Sequence, residues 1–366
     1  MVACSGGHQA RGEVRHTAGA GTRVASVRPD PVLGEGFSTH RIRLGADDEG
    51  PLIATLLHRD LPPGTAYRDL PGVPILVLHG WSDYVFDREL LEHLGHAGHD
   101  VWGLDLRKHG RSLLPGQTPT DVDHLSRYDA ELDAALRIIG RDRPPVILAH
   151  STGGLTATLF ALRRPGAVRG LALNSPWLEM HLGPAARALV EAPVRILARH
   201  LGSRPVLPVG SLHYARTTHR EYGGAFEYDL ELKPPGGHRF PADTLRAVID
   251  GQRRLEASGP LAIPVLVMHS DRSRIGPVFH ESMRRADTVL DVHSLARAAR
   301  KLGPRVQVEA IPGARHDVFL SDADARTRAL SILDAWLAER AADAPTMDPT
   351  GSPHPGEEAD DEPAAC

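Results

Sequence analysis

Residues 145–154 read Pro-Val-Ile-Leu-Ala-His-Ser-Thr-Gly-Gly, and the fold turns on how they are read. Val146 to Ala149 form an apolar run of the length expected for a buried strand, and Leu155 to Leu162 continue in a helical pattern. Ser151 therefore stands where a strand passes straight into a helix. A turn this tight strains the serine backbone and needs small residues two positions away on each side, which Ala149 and Gly153 provide. It lifts the hydroxyl clear of the sheet and makes Ser151 a candidate nucleophile. The competing reading is a serine that only caps a helix, and the rest of the chain has to decide.

Outward from this point, short apolar runs flanked by Gly or Pro alternate with helical patterns. The runs are Ile75 to Leu78, Val101 to Leu104, Val146 to Ala149, Leu171 to Leu173, Val265 to Met268 and Val306 to Val308. Helical spacing covers Arg88 to Leu94, Asp121 to Ile139, Leu155 to Leu162, Leu295 to Leu302 and Ala323 to Ala338. This alternation predicts an α/β fold, a mostly parallel twisted sheet with helices on both faces. His40 to Leu44 and Leu52 to Leu57 predict an opening antiparallel pair, which makes Leu171 to Leu173 the sixth strand. The alternation stops for about eighty residues after that strand. Residues 177–260 are expected to be a helical lid inserted over the carboxyl edge, where ligands bind in such sheets. The core is then 37–176 plus 261–340. Residues 1–36, rich in Gly, Arg and Ala, and 341–366, rich in Pro and acid, are expected to be tails.

Composition narrows the function. Of 366 residues 41% are hydrophobic, enough for a sizeable core, and 42 Lys and Arg against 46 Asp and Glu leave a net charge of −4. Such a balance offers no global attraction to nucleic acid. The two cysteines, Cys4 and Cys366, sit at opposite ends and cannot form a disulfide framework. No apolar run approaches the roughly 18 residues of a membrane span, and the first thirty residues lack the apolar block of a signal peptide. A cytoplasmic protein without stable membrane insertion is expected. No glycine-rich phosphate loop follows the early strands, so no nucleotide cofactor is indicated. His93, His96 and His99 recur every three residues without the further ligands a metal site needs, and no metal is expected.

Three more segments complete a resemblance. His79-Gly80-Trp81 follows the third strand, Asp105-Leu-Arg-Lys-His-Gly-Arg-Ser112 follows the fourth, and Gly313-Ala-Arg-His316 follows the last. With the Ser151 turn, the chain resembles the α/β-hydrolase superfamily, closest in layout to the serine aminopeptidase-like, monoacylglycerol lipase and lysophospholipase group, over roughly residues 38 to 340. It departs from that pattern at Ala149 and Lys108, where the group usually has Gly. The resemblance implies a serine hydrolase that works through an acyl-enzyme. It makes Ser151 the nucleophile, His316 its base, and the backbone N–H groups of Trp81 and Thr152 the oxyanion donors.

The acid is a choice among three. Asp271 lies just beyond the strand Pro264 to Met268, where the group habitually places it. Asp287 opens an Asp-Thr-Val-Leu turn into a helix, 29 residues ahead of His316 against 45 for Asp271, and the first spacing is the one the group uses. Residues 271–286 are then an extra loop. Asp287 is preferred, Asp271 is the alternative and Asp291 comes third. Tyr84, Trp177 and Phe226 are expected to bind substrate, because aromatic residues concentrate near the predicted site and in the lid. The expected partner is a small acyl ester. Alternatives are an aminopeptidase or amidase, using Glu221, Glu227, Asp229 or Glu231 for the substrate amine, and a non-catalytic ligand-binding relative. The sequence leaves the oligomeric state open.

Overall fold

The computed structural model describes residues 27–140, 142–180, 184–204 and 211–342. Residues 1–26 and 343–366, expected as tails, lie outside the described residues. The strands are β1 (Arg28–Asp30), β2 (Gly34–Asp47), β3 (Gly50–Arg59), β4 (Pro74–Leu78), β5 (Asp100–Asp105), β6 (Val146–His150), β7 (Gly170–Asn174), β8 (Val265–Ser270) and β9 (Val306–Ile311). They form one sheet in the order β1-β2-β3-β5-β4-β6-β7-β8-β9. The first three strands are antiparallel and β3 meets β5 antiparallel. From β5 to β9 every pairing is parallel. The extra strand at the start moves the predicted sixth strand to seventh place.

Side-chain alternation along the parallel strands explains the two helical layers. Leu76, Leu78, Ile147, Ala149, Leu171 and Leu173 face one side, and Ile75, Val146, Leu148 and Ala172 face the other, as a period of two requires. On the first side lie α2 (Asp129–Ile139), α3 (Ser151–Arg163) and α7 (Val292–Ala299). On the second lie α1 (Arg88–His96) and α8 (Ala323–Ala342). Strands buried on both faces read as continuous apolar runs, which is why the sequence located β4 to β8; β9, half exposed at the sheet edge, shows instead as the alternation Val306-Gln307-Val308.

Between β7 and β8 come α4 (Pro184–Leu201), α5 (His213–Thr218) and α6 (Ala242–Glu256). α6 buries Leu245, Val248 and Ile249 in the same core as α3, so this segment is anchored to the sheet domain.

Two boundaries differ from expectation. The sheet begins at Arg28, within the predicted tail, because Asp30 and Leu33 are buried. Asp30 takes the Arg111 guanidinium at 2.7 Å, and Arg111 also bonds Asp105 at 2.8 Å. Apolar periodicity carries no trace of such a charge relay. α2 starts at Asp129 instead of Asp121, since Val122 N–H is taken by the Thr244 hydroxyl at 3.0 Å and Asp121 by Lys108 at 3.3 Å. No helix among the described residues is long and apolar enough to cross a membrane.

Candidate active site

β6 ends at His150 and α3 begins at Ser151 with no residue between. Ser151 has φ +50°, in the left-handed region, a conformation that costs a non-glycine residue roughly 1–2 kcal/mol. Neighbouring glycines allow the surrounding packing to hold it. A Cβ on Gly153 would run into the carbonyl oxygen of His79, and one on Gly80 would come within 3.0 Å of the Ser151 Cβ. The helix thus seats against the end of β4 only because both side chains are absent.

His316 comes from the loop after β9. Its Nε2 lies 3.1 Å from the Ser151 hydroxyl and its Nδ1 lies 2.9 Å from Asp287 Oδ2. Asp287 is fully buried, and its other oxygen accepts from Val289 N–H at 2.7 Å and Leu290 N–H at 2.8 Å. Burial alone would raise its carboxyl pKa; the facing imidazole and those two donors outweigh burial and hold it below the ordinary value. With the Nδ1 proton turned toward this carboxylate, Nε2 is left to accept from Ser151.

The extra loop explains how an acid so far beyond β8 arrives there. Ser273 and Asp287 form a parallel bridge, with Arg274 N–H to Asp287 O at 2.8 Å and Asp287 N–H to Arg272 O at 2.9 Å. The intervening residues loop out, and the chain resumes beside the point it left. Asp271, the alternative acid, has other partners. One of its oxygens accepts from Gly313 N–H at 2.9 Å and the other from Arg272 at 2.6 Å. It supports the backbone of the histidine loop and does not meet the imidazole. Asp291 caps α7 by accepting from Ser294 N–H at 2.7 Å.

Trp81 and Thr152 line the same cavity as Ser151. Thr152 is in the first turn of α3, where N–H groups have no intrahelical acceptor. The Trp81 indole stacks on Phe240 at 4.4 Å and donates to the Thr120 hydroxyl at 3.0 Å. Ser82, next in the chain, is also left-handed, at φ +53°. His79 and the Asp105 motif act behind this loop. His79 Nε2 accepts from Leu106 N–H at 3.0 Å, and Asp105 accepts from Val85 N–H at 2.8 Å and from Arg111. Lys108 keeps the left-handed backbone expected of the glycine it replaces, φ +57°. Its ammonium gathers Asp47 and Glu49 at 2.7 Å and Asp121 at 3.3 Å.

The cavity over Ser151 measures about 450 Å³ and is walled by Trp81, Trp177, Tyr214, Phe240, Val289 and Leu290 among others. Of the three aromatic residues expected to bind substrate, Trp177 walls this cavity. Tyr84 and Phe226, expected with it, are not among the residues that wall this cavity. Tyr84 is buried, accepts from Asp229 N–H at 2.7 Å, and walls a separate cavity of about 50 Å³. Phe226 pairs with His219 through its backbone and lies under the Arg326 guanidinium at 5.4 Å.

Sequence reasoning missed Asp83 and Lys233, which line the cavity as a buried ion pair at 2.8 Å. His150 lines the cavity too, its ring 4.8 Å from that of His316. Burial lowers the His150 pKa and favours the neutral ring. Asp83 stands two residues beyond Trp81, a position that could have drawn attention; nothing local marks Lys233. His93 meets Asp334 at 2.9 Å and His99 meets the Val73 backbone at 3.1 Å. Among the described residues no group of three or more His, Cys, Asp or Glu could hold a metal ion.

A mostly parallel nine-stranded sheet, with a serine on a strand-to-helix elbow at its carboxyl edge, defines an α/β-hydrolase. The chain belongs to the serine aminopeptidase, S33, family, whose model matches residues 71–324. It is 29% identical to the monoacylglycerol lipase of Mycolicibacterium smegmatis over 69% of this chain and 83% of that one. It is 36% identical to lysophospholipase L2 of Escherichia coli over 53% of this chain and 61% of that one. Among solved structures, the Saccharomyces cerevisiae monoglyceride lipase superposes with a TM-score of 0.59 at 16% identity, covering 81% of this chain and 95% of that one. The Paleococcus ferrophilus monoacylglycerol lipase gives 0.57 at 19% identity, covering 76% and 96%. At these identities the superpositions speak for the fold. The protein is a lipase/esterase-like hydrolase of the α/β-hydrolase family.

Proposed function

We propose that the protein hydrolyses carboxylic esters of lipid type through an acyl-enzyme on Ser151. The observation that carries this reading is the unbroken chain Asp287–His316–Ser151, at 2.9 and 3.1 Å, opening into a largely apolar cavity. Ser151 attacks the acyl carbonyl while His316 Nε2 takes its proton and returns it to the leaving alcohol. Asp287 holds the imidazole tautomer and stabilises the imidazolium without accepting the proton. The N–H groups of Trp81 and Thr152 receive the oxyanion, where one fixed donor is worth about a hundred- to a thousandfold in rate. Water then releases the acid. Segment 177–260 acts as the lid, closing the apolar walls around the acyl chain. Relatives named for monoacylglycerol and lysophospholipid substrates support a single-chain lipid ester.

An aminopeptidase would need an unneutralised carboxylate to take a substrate amine. Glu221, Glu227, Asp229 and Glu231 are all exposed and none lines the cavity, while Asp83, which does, is bound to Lys233. The deciding assay is hydrolysis of p-nitrophenyl esters from acetate to palmitate and of a monoacylglycerol, by wild type and Ser151→Ala. Turnover by wild type alone, with an optimum at a medium or long chain, is expected. A folded wild type that cleaves aminoacyl amides and no ester would overturn the reading.

A further inference from the structure

The loop that carries Trp81 is tied on three consecutive residues to one short stretch of the segment proposed as the lid. Ser82 Oγ accepts from His238 N–H at 2.8 Å, Asp83 takes the Lys233 ammonium at 2.8 Å, and the Tyr84 hydroxyl accepts from Asp229 N–H at 2.7 Å. Gly237 closes the same contact, since a Cβ there would come within 2.9 Å of the Trp81 ring. Lys233 is the centre of this arrangement. It is buried beside Asp83, and its ammonium also lies 4.7 Å from the Phe86 ring, 5.2 Å from Tyr228 and 5.3 Å from Tyr214. Removal from water opposes its charge, but Asp83 and the surrounding groups more than offset that and keep it protonated.

The strain in the loop gives these ties a purpose. Ser82 holds a left-handed conformation at φ +53°, which persists in a non-glycine residue only where the surroundings over-determine it. Three of the bonds that determine it come from residues 229–238. We propose that Lys233, with the His238 N–H, is a positioning device that sets the Trp81 N–H in the oxyanion hole, so that this donor is aimed only while the lid is seated. The inference rests on the proposed function. Lys233 does not touch the reacting atoms; it acts through Asp83 and the backbone of residues 81–83. A donor displaced by a fraction of an ångström loses much of its value at the transition state and little at the ground state.

The test uses the full chain with wild type, Lys233→Met, Lys233→Arg and Ser82→Ala. Each is assayed for kcat and KM on p-nitrophenyl butyrate, for thermal midpoint, and for inhibition by an alkyl trifluoromethyl ketone. That ketone forms a reversible hemiketal: the Ser151 oxygen adds to the carbonyl carbon, the serine proton passes to His316, and the oxygen left negative occupies the hole. Lys233→Met is expected to lower kcat about 10- to 100-fold, to weaken ketone inhibition by the same factor, and to leave KM within about twofold. Lys233→Arg recovers part of both losses, and Ser82→Ala shows a smaller loss of the same kind. A rise in KM with unchanged ketone affinity would make Lys233 a wall of the substrate cavity and end the proposal. So would a lowered thermal midpoint with kcat and ketone affinity intact. If Lys233→Met does not fold, Ser82→Ala decides, and an unchanged kcat and ketone affinity there overturns the idea. If wild type cleaves no ester, the esterase reading fails on its own and the clamp is judged by ketone affinity alone.

Discussion

At the scale of single residues, two aspartates that the sequence left in competition have different surroundings, and their substitution should differ accordingly. Asp287→Asn keeps the shape but removes the charge that selects the His316 tautomer, so kcat is expected to fall roughly 10³- to 10⁴-fold. Asp271→Asn retains an acceptor for Gly313 N–H and should cost less than about tenfold, within the effect of one partly exposed hydrogen bond. Equal losses in a steady-state comparison would contradict this assignment. Because its carboxyl pKa is depressed by the imidazole and backbone donors, which outweigh burial, Asp287 stabilises the fold above the ordinary carboxyl pKa. That contribution is lost only as pH falls through the lower folded value. His109 acts in the same direction but in a higher pH window. Burial, with His79 nearby, pushes its pKa down to about 3, so the unfolded chain binds a proton below about pH 6.5 that the native state refuses. Stability should therefore decline from about pH 6.5 downward. His109→Gln should flatten that decline in denaturant titrations between pH 4 and 7; an unchanged slope would mean that other groups cause it.

At the scale of elements, the loop between Ser273 and Asp287 does more than return the chain to its starting point. Arg284 donates to the carbonyls of Arg216 and Gly223 at 2.8 Å, and the guanidinium groups of Arg216 and Arg284 lie 5.4 and 5.3 Å from the Phe279 ring. Arg285 reaches Asp322 at 3.1 Å and Asp324 at 2.6 Å at the start of α8. The loop thus braces α5, which carries Tyr214, against the loops that carry Asp287 and His316. Arg284→Ala is expected to speed amide exchange across residues 213–223 and to cost about 1–2 kcal/mol, the range for hydrogen bonds to a charged donor that is partly exposed. Unchanged exchange in that stretch would show that α5 holds its place without the brace. The loop was legible as extra from spacing alone. Its brace was not, because the partners of Arg284 lie more than sixty residues away.

At the scale of the whole molecule, the sheet is longer at its antiparallel edge than the sequence indicated. Arg111 spans from Asp105 in the parallel sheet to Asp30 in β1, with both carboxylates fully buried. Removing residues 28–36 leaves Arg111 half-paired, takes Leu33 out of the core and uncovers Phe37. Such a deletion should cost several kcal/mol, the order found when one partner of a buried pair is lost. A thermal midpoint unchanged from wild type would place the true boundary at residue 37.

The sequence by itself determined what depends on local pattern: the parallel strands β4 to β8, written as apolar runs because both faces are buried, the edge strand β9, written as an alternation, and the elbow at Ser151, written as small residues around a serine. It also placed His316 and Asp287 in loops that follow consecutive strands, which a parallel sheet brings to one edge. Only the tertiary structure decided what depends on pairing across the chain. It turned Asp271 toward Gly313, put Tyr84 in the wall of a separate cavity, and buried Lys233 against Asp83 from 150 residues away. The physical reason is the range of the interaction. Burial periodicity and turn sterics are set by neighbours in sequence, whereas the partner of a polar side chain is set by the three-dimensional path of two distant segments.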